Sequence, residues 1–399
     1  MAKSSIVSRY LISPVLEFIR DSRAVGIVLI CCTILSLIIS NSGAAEGYLA
    51  FWNLELPLSG GGLHLPHTVL HLVNDGLMAV FFLMVGMEIK RELMTGELNT
   101  LRKAMLPVVA AIGGMVVPAL MYAIWCGGTP YSNGWGIPMA TDIAFSLGIL
   151  SLLGKKAPLS LRIFLTALAI IDDLGGILAI AIFYAGELNW LYLGLGLLMF
   201  GVLVTLNLLK VRYYVVFWLL GLLMWYFIFN SGVHATIAGV LLAFTIPLRK
   251  INQLIHNLHD PVNFIILPIF ALANTAIPLP ADIAAVFTTD LHHGIFMGLV
   301  VGKPLGIFLL TFLAVKLRIG SLPQGLVWRH ILGMGMIAGI GFTISIFMAT
   351  LALTDAGAQT IAKVAIIAAS LLSGLIGFLY LKLVNKKAVR ATLKLKPTK

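Results

Sequence analysis

The chain has 399 residues, of which 60% are hydrophobic and 11% are charged, and its formal net charge is +11. Its many apolar segments have no polar outer face, which excludes a soluble all-α core and is typical of a polytopic membrane protein. The positive charge lies in short loops without interleaved aromatic residues, so nucleic acid is excluded as a partner.

The apolar runs, taken in chain order, predict about twelve transmembrane helices. The predicted spans are 24–40, 70–89, 104–124, 136–153, 160–184, 190–209, 213–229, 231–247, 261–280, 293–316, 331–352 and 359–384. No small-residue cleavage site follows the first run, so we expect an uncleaved anchor rather than a removed signal peptide.

Lysine and arginine residues mark one end of these spans. Except for Lys303 and Lys363, all 27 lie near the termini or in alternate connections of the chain. These connections are 90–103, 155–162, 210–212, 249–250 and 316–329. We call this end of the molecule the basic end and the opposite end the outer end. The positive-inside rule predicts that the basic end and both termini face the cytoplasm.

The connection between the first two spans has a strand-like pattern. Residues 51–67 carry alternating leucines on both sides of a triple-glycine turn, which predicts a β-hairpin at the outer end. An isolated two-stranded ribbon is only marginally stable in water. Pairing with the same ribbon of a second subunit would stabilise it, so the hairpin also predicts a homodimer.

Two adjacent carboxylates, Asp172 and Asp173, lie in the middle of the span 160–184. At about 1.5 Å per residue they are roughly 17 Å from the Arg162 end, which is close to the midplane of a bilayer. A charge at that depth is costly and usually faces a functional cavity. One carboxyl could be tolerated as a buried, protonated hydrogen-bond donor, whereas two in a row indicate a functional site.

Two other spans contain residues that weaken a helix. The span 136–153 contains Pro138 and Asp142, and the span 331–352 contains four glycines, followed by Thr343 and Ser345. Unwound backbone at membrane depth is tolerated only against protein or a wet cavity, so both helices are predicted to be discontinuous. Close helix packing through small residues is the alternative explanation for the second span.

The positions of these two spans indicate an internal symmetry. They are the fourth and the eleventh span, and each is the middle of three consecutive spans (third to fifth, and tenth to twelfth). The two trios are seven spans apart. Because seven is odd, they enter the membrane from opposite sides. This is the plan of inverted repeats, with a site where the broken helices cross. Half-helix ends leave uncompensated dipoles there, and Asp142 and Lys303 have the signs to neutralise them. Lys303 is also near mid-depth, and Asp172 is its candidate partner.

The plan divides the chain into six segments. They are an N-terminal cytoplasmic segment (1–23), spans 1 and 2 with the hairpin (24–103), a first core repeat (104–189), linker and interface spans (190–289), a second core repeat (290–384) and a basic tail (385–399).

Seven motifs resemble those of the NhaA-type bacterial Na⁺/H⁺ antiporters. They lie at 74–82, 86–93, 140–145, 167–175, 231–236, 302–306 and 339–343, so the resemblance covers nearly the whole chain. It implies an all-α polytopic protein in the bacterial cytoplasmic (inner) membrane, with discontinuous helices 4 and 11 crossing at mid-membrane. It also implies pH-regulated exchange of cytoplasmic Na⁺ or Li⁺ for external protons.

The resemblance implies a role for each residue of the ion site. Asp173 and Asp172 match the carboxylates that bind Na⁺ or Li⁺ and exchange protons, with Asp142 and Thr141 beside them on the broken fourth span. Lys303 matches the lysine that compensates helix dipoles and pairs with the first aspartate.

The resemblance also implies a pH-responsive group and a cation path. Asp75 lies on that path near the outer end, and the residues of the pH response are Glu88, Arg91, Glu92, His234 and His256. His256 lies in the connection 248–260, which is shorter here than in the family. The family also has a glutamate at the position of Ile255. The family's pH profile is therefore carried over to this chain less safely than its ion site.

The residue types alone allow simpler explanations for these polar side chains. The i, i+3, i+4 spacing of Glu88, Arg91 and Glu92 suits an ordinary surface ion-pair set. A lone histidine such as His234 is also typical of hydrogen-bonded packing. The remaining outer histidines are expected to be solvated; they are His64, His67, His71, His292 and His293.

The chemistry of a buried carboxylate supports exchange. Burial favours its protonated form, and the ionised form offers the oxygen ligands that a hard cation prefers. Competition of Na⁺ and protons at one site, open to each side in turn, is sufficient for antiport. The exchange is electrogenic if two groups change protonation for each Na⁺. No phosphate-binding Gly-rich motif is present, so neither a nucleotide nor another cofactor is expected, and the protein is predicted to be a transporter rather than an enzyme.

Three other functions fit less well. A Na⁺-coupled solute symporter of related architecture is the main alternative, and it would need a cavity for an organic substrate. An intramembrane aspartyl protease needs its two carboxylates on different helices around one water. A passive channel is disfavoured because a lysine and carboxylates at mid-depth form a binding trap rather than a conducting ring.

Overall fold

The computed structural model describes residues 22–57, 64–154, 157–211, 213–280 and 282–394. Within these ranges the regular structure is helical, and the β-structure is limited to one isolated bridge. Of the two predicted terminal segments, residues 1–21 and 395–399 lie outside the described residues. Residues 385–394 continue the last helix.

We number the helices in chain order. They are α1 (Ser22–Ser40), α2 (Ala45–Trp52), α3 (Val69–Met94), α4 (Leu101–Cys126), α5 (Ile143–Leu152), α6 (Leu159–Phe183), α7 (Trp190–Leu208), α8 (Tyr214–Phe229), α9 (Thr236–Thr245), α10 (248–274), α11 (Ile283–Phe287), α12 (Asp290–Lys316), α13 (Trp328–Ala338), α14 (Phe342–Ala352) and α15 (Ala356–Lys394). A 3₁₀ segment (Ser132–Met139) precedes α5. π-Helical turns occur within α3, α10 and α12, at Val73–Leu77, Val262–Ile266 and Gly298–Gly302.

Seven helical segments of the described chain are long and apolar enough to cross a membrane. They are α3, α4, the 3₁₀ segment with α5, α6, α7, α12 and α15. Two bent pairs, α1 with α2 at 118° and α13 with α14 at 49°, raise the number to nine if each pair is one span.

An all-α membrane-spanning architecture is therefore confirmed, whereas the predicted number of about twelve helices is not. The difference lies between α8 and α10. Helices α8 and α9 have only 16 and 10 residues, and the first half of α10 is polar. These three helices are therefore not counted as spans, because a transmembrane helix needs about 20 consecutive, mainly apolar residues.

The predicted hairpin at 51–67 is not confirmed. Phe51 and Trp52 end α2, and the only pairing among the described residues here is one antiparallel bridge between Glu55 and Thr68. Next to it, the Leu56 N–H donates to the His67 carbonyl at 2.8 Å. Residues 58–63, which contain the triple-glycine turn, lie outside the described residues, so the hairpin stays a prediction.

Helices α4 and α12 cross at their glycines. A Cβ on Gly113 would overlap the Gly306 carbonyl, and a Cβ on Gly306 would overlap the Gly113 carbonyl. On one side of this crossing Gly302 lies against Pro118, and on the other side Gly320 lies against Leu106. The contacts run in opposite chain directions, so the helices are antiparallel. Their close approach holds Lys303, at the crossing, beside α6.

Helices α3 and α9 form a parallel pair. Gly86 of α3 lies against Val240 and Ala243 of α9, and Gly239 of α9 lies against the backbone of Ala79. Small residues at the contact let the two backbones approach closely, as is usual between membrane helices. Both ends of the pair carry polar contacts.

Candidate functional site

The site is formed where two helices are interrupted. Residues 140–142 separate the 3₁₀ segment from α5, and residues 339–341 separate α13 from α14. The interruptions bond to each other, since the Asp142 N–H donates to the Ile340 carbonyl at 2.7 Å. In the flanking segments, Ser345 Oγ donates to the Ile137 carbonyl at 2.7 Å. Backbone groups released from the helices are thus satisfied across the interface, as burial requires.

The carboxylate of Asp142 accepts hydrogen bonds from the N-termini of two helices. Its Oδ1 accepts from the Phe145 N–H of α5 at 2.9 Å. Its Oδ2 accepts from the N–H of Thr343, in the first turn of α14, at 3.1 Å and from Thr343 Oγ1 at 2.6 Å. Asp142 is 2% exposed. Because both N-termini carry unsatisfied donors and a partial positive charge, one buried carboxylate stabilises both.

Lys303 and Asp172 form a fully buried ion pair. Lys303 Nζ lies 3.0 Å from Asp172 Oδ2, and Thr141 Oγ1 donates to the same oxygen at 2.8 Å. Lys303 also donates to the carbonyl of Met139, the last residue of the 3₁₀ segment. The cation therefore contacts both a carboxylate and the negative end of a helical segment. Asp172 Oδ1 has no hydrogen-bond partner among the described residues.

Asp173 faces a cavity instead of an ion pair. The next residue on an α-helix is rotated by about 100°, so adjacent aspartates point in different directions. Asp173 is 5% exposed and lines a cavity of about 390 Å³ together with Asp142, Glu88, Thr343 and Asn263. Its Oδ1 is buried and has no hydrogen-bond partner among the described residues.

The charges around Asp173 are mostly negative. Among the described residues, the charged groups within electrostatic range of this carboxylate are the acids Asp172, Asp142 and Glu88 and the cation Lys303. A cleft with excess charge of one sign attracts ions of the other. Carboxylate, hydroxyl and amide oxygens are ligands that suit a hard cation such as Na⁺.

A second polar cluster lies at the outer end of α3. Asp75 is 7% exposed; its Oδ2 lies 2.8 Å from His71 Nε2 and its Oδ1 lies 3.2 Å from His234 Nε2. Trp225 Nε1 donates to the Asp75 carbonyl at 3.0 Å. His71 was expected to be solvated, but it pairs with Asp75 at i, i+4. That spacing could have revealed the pair.

At the basic end the three residues expected to act together make different contacts. Glu88 lines the Asp173 cavity. Arg91 Nη2 pairs with Glu92 Oε1 at 3.2 Å. Between them, Lys90 is buried and donates to the Phe244 and Ile246 carbonyls at 2.7 and 2.6 Å, at the end of α9. Sequence reasoning missed Lys90, since nothing marks a basic residue at a helix end as buried.

The histidine in the cavity wall is His259. The expected residue, His256, lies on the exposed face of α10, while Ile255 is buried. The apolar spacing of Ile251, Ile255 and Leu258 marks the inward face of this helix, and His259 lies at its edge. From this apolar spacing, the position of His259 in the cavity wall could have been predicted.

His292 was expected to be solvated, but the structure buries it. It is 6% exposed, and its ring stacks on Phe296 at 5.4 Å between centroids. Neither ring nitrogen has a partner among the described residues.

Comparison with known proteins shows the family of this chain. A model of the family described as Na⁺/H⁺ antiporter 1 matches residues 16–381. The Na(+)/H(+) antiporter NhaA 2 of Flavobacterium johnsoniae is 50% identical over 377 residues, which is 93% of this chain and 92% of that protein. The Na(+)/H(+) antiporter NhaA of Dechloromonas aromatica is 50% identical over 375 residues, covering 92% and 94% of the two chains. That of Escherichia coli is 46% identical over 376 residues, covering 92% and 97%. With the match extending over both helix interruptions, the chain belongs to the Na⁺/H⁺ antiporter 1 family of NhaA-type membrane transporters.

Proposed function

We propose that this protein extrudes Na⁺ or Li⁺ from the cytoplasm in exchange for protons, with Asp173 as the group for which the two ions compete. One observation carries the proposal. Asp173 is a buried carboxylate with an unpartnered Oδ1 in the wall of a cavity whose other charged groups are mainly acidic. The membership in an antiporter family agrees with it.

The exchange follows from the oxygen ligands. When Asp173 is ionised, its carboxylate, the Thr343 hydroxyl and the Asn263 amide oxygen line one cavity and can hold Na⁺ or Li⁺. A proton on Asp173 removes the negative charge and one acceptor, so the bound cation is released. Each occupant excludes the other, and a site open to the two sides in turn carries them in opposite directions.

The Asp172–Lys303 pair supplies a second titrating group. Cation binding that displaces one proton from Asp173 and one from this pair exchanges two protons for one Na⁺. One positive charge then moves inward in each cycle, so an inside-negative potential drives Na⁺ outward. The two aspartates and Lys303 titrate as one coupled set.

The mobile part is formed by two inverted repeats, 104–189 and 290–384, with the interrupted helices crossing near mid-membrane. The antiparallel contact of α4 with α12 supports this plan. The helical segments that flank the interruptions also pair in antiparallel order, with Ile137 against Ser345 and Ser146 against Ile337. Asp142 and Lys303 compensate the helix ends at the crossing. Counted with α8 to α10, the membrane contains about twelve spans.

The residues that regulate transport in response to pH lie at the two ends of α3. At the basic end, in the cytoplasm, Glu88 shares the ion cavity with His259. Arg91 and Glu92 follow Glu88 on α3, and His256 precedes His259 on α10. At the outer end, His234 contacts Asp75, which lies on the cation path.

The protein acts in the bacterial inner membrane as a homodimer joined through residues 51–67, with both termini in the cytoplasm. Among the described residues, the bridge between Glu55 and Thr68 supports pairing of the two ends of this connection. A Na⁺-coupled solute symporter is not favoured, because the relatives that match over nearly the whole chain are Na⁺/H⁺ antiporters.

Transport in inside-out vesicles tests the proposal. With a pH gradient imposed, Na⁺ and Li⁺ should collapse the gradient and K⁺ should not, and Asp173→Asn should abolish the response. Asp282→Asn is the matched control, since this exposed carboxylate caps the short outer helix α11 and lies outside the cavity. It should respond like wild type.

Two further readouts in the same vesicles test the mechanism. The Na⁺ concentration for half-maximal response should rise as the pH falls, by about tenfold per pH unit where one of the two displaced protons titrates and by up to about a hundredfold where both do, because Na⁺ competes with those protons. An imposed membrane potential should change the wild-type rate. A Na⁺ response that survives in Asp173→Asn would place the ion site elsewhere, and a rate independent of potential would mean one proton per Na⁺.

A further inference from the structure

A second cavity, of about 760 Å³, lies at the basic end between α4, α6 and α12. Its lining shares no residue with the Asp173 cavity. It belongs to neither end of the cation path proposed above, so the antiport function leaves it unexplained.

The lining changes from polar to apolar along the helices. The polar side chains lie near the helix ends and the loops: Lys103, Ser160, Arg318 and Ser321. Ile163, Phe164 and Ala167 follow Ser160 on one face of α6, so the apolar wall extends about 10 Å into the membrane. Pro107 and Val315 continue it on α4 and α12. A cavity with this gradient fits an amphiphile, with a polar head at the rim and a chain inside.

The charges at the rim indicate the sign of the head group. Among the described residues of the lining, the charged side chains are the two cations Lys103 and Arg318 and the one carboxylate Glu97, so their net charge is +1. The Lys103–Glu97 pair is long, 3.8 Å, and its side chains are 61% and 54% exposed, so it neutralises little.

Arg318 is held at this rim by the end of α12. Its φ is +60°, the left-handed conformation that closes a helix, and the Ile319 N–H donates back to the Ala314 carbonyl at 2.9 Å. No hydrogen bond or ion pair involves the Arg318 side chain among the described residues. The guanidinium is thus an uncommitted cation at the mouth of an apolar cavity, where a phosphate oxygen would be a strong acceptor.

We infer that this cavity binds an anionic phospholipid of the leaflet at the basic end. The phosphate contacts Arg318 and Lys103, and one acyl chain lies along Phe164 and Ala167. Basic pockets between transmembrane helices are suited to such head groups. A soluble phosphate would use the rim alone and leave the apolar wall unfilled. The bound lipid would contact α4, α6 and α12 together, which are the helices that surround Asp172 and Lys303.

Photolabelling of the intact protein in nanodiscs tests this inference. The nanodiscs contain phosphatidylcholine and a small fraction of phosphatidylglycerol with a diazirine in its acyl chain. Peptide mapping should place the label on α6 near Phe164 and Ala167, and a phosphatidylcholine probe with the same diazirine should label it several-fold less. Arg318→Ala and Lys103→Ala should each lower the label about fivefold, as expected for loss of one basic contact.

Two variants keep the test specific. Lys316→Ala removes an exposed basic residue from the same end of α12 that does not line the cavity, and it should label like wild type. Ala167→Trp fills the apolar wall and should remove the label without changing any charge; size-exclusion chromatography checks that it folds.

Three results would overturn the inference. They are equal labelling by the two lipids, an equal loss in Lys316→Ala and Arg318→Ala, and displacement of the label by millimolar inorganic phosphate. The last would assign the rim to a soluble anion. Because the readout is binding, the result does not depend on whether Asp173 carries Na⁺.

Discussion

At the scale of single residues, the shortest contact of Asp142 is its bond from the Thr343 hydroxyl, at 2.6 Å. Thr343 also donates its backbone N–H to the same oxygen at 3.1 Å. The hydroxyl is therefore the part of this contact that a substitution can remove while the backbone bond remains.

We expect Thr343→Val to destabilise the protein and to slow transport. Valine has the shape of threonine, so the change leaves a buried acceptor without one donor, at a cost of about 1.5–3 kcal/mol for a charged group. Thr343→Ser keeps the hydroxyl and is the control. Thermal unfolding of the purified variants measures the effect, and a Val variant as stable as the Ser variant would contradict it.

Some residues of the site could be predicted from the sequence because they are charged and lie in apolar runs. Asp142, Asp172, Asp173 and Lys303 are conspicuous for this reason. Thr343 was noted only as part of a weakened helix, since a hydroxyl can bond to its own helix and so costs little there. Its partner is 201 residues away in the chain, and no local pattern reports such a contact.

At the scale of helices, the crossing of α4 and α12 depends on the absence of side chains at Gly113 and Gly306. Any larger residue must separate the two helices. That displacement would also shift Lys303, which lies three residues before Gly306.

We expect Gly113→Val to prevent close packing and to leave little folded protein. Gly201→Val on α7 is the matched control, because nothing lies within 4 Å of a Cβ built there and the intrinsic helix preference of the change is the same. The fraction of monodisperse protein after heating measures the difference. Equal losses in both variants would show that the crossing tolerates the added bulk.

The helices were predicted where hydropathy marks them and were missed where it does not. The apolar part of α15 was recognised, but the helix continues to Lys394 through a charged stretch. Lysine, alanine, arginine and leucine are good helix formers, so the helix outlasts the apolar run. The ends of α9 and α10 and the π-helical turns have no comparable signal in composition.

At the scale of the whole molecule, a single chain supplies the carboxylate, hydroxyl and amide oxygens of the proposed ion site, from Asp173, Thr343 and Asn263. Transport should therefore not require a second subunit. The proposed dimer contact, residues 51–67, begins in the last turn of α2, and none of its described residues lines the Asp173 cavity.

We expect a chain in which a short glycine-serine linker replaces residues 57–65 to lose dimerisation and to keep Na⁺-dependent collapse of the pH gradient. Replacement of the loop 127–130, at the same end of the membrane, is the control. Light scattering in detergent gives the mass of each variant. A linker variant that remains dimeric would place the interface on another surface.

The double contact of Asp142 also limits how the molecule can move. Because α5 and α14 share one carboxylate as acceptor, a displacement of either helix by about 1 Å lengthens a bond beyond its normal range unless the other helix follows. Two bodies joined in this way lose most of their independent degrees of freedom. A description of the transport cycle therefore needs one set of rotation and translation coordinates for both helices, not two.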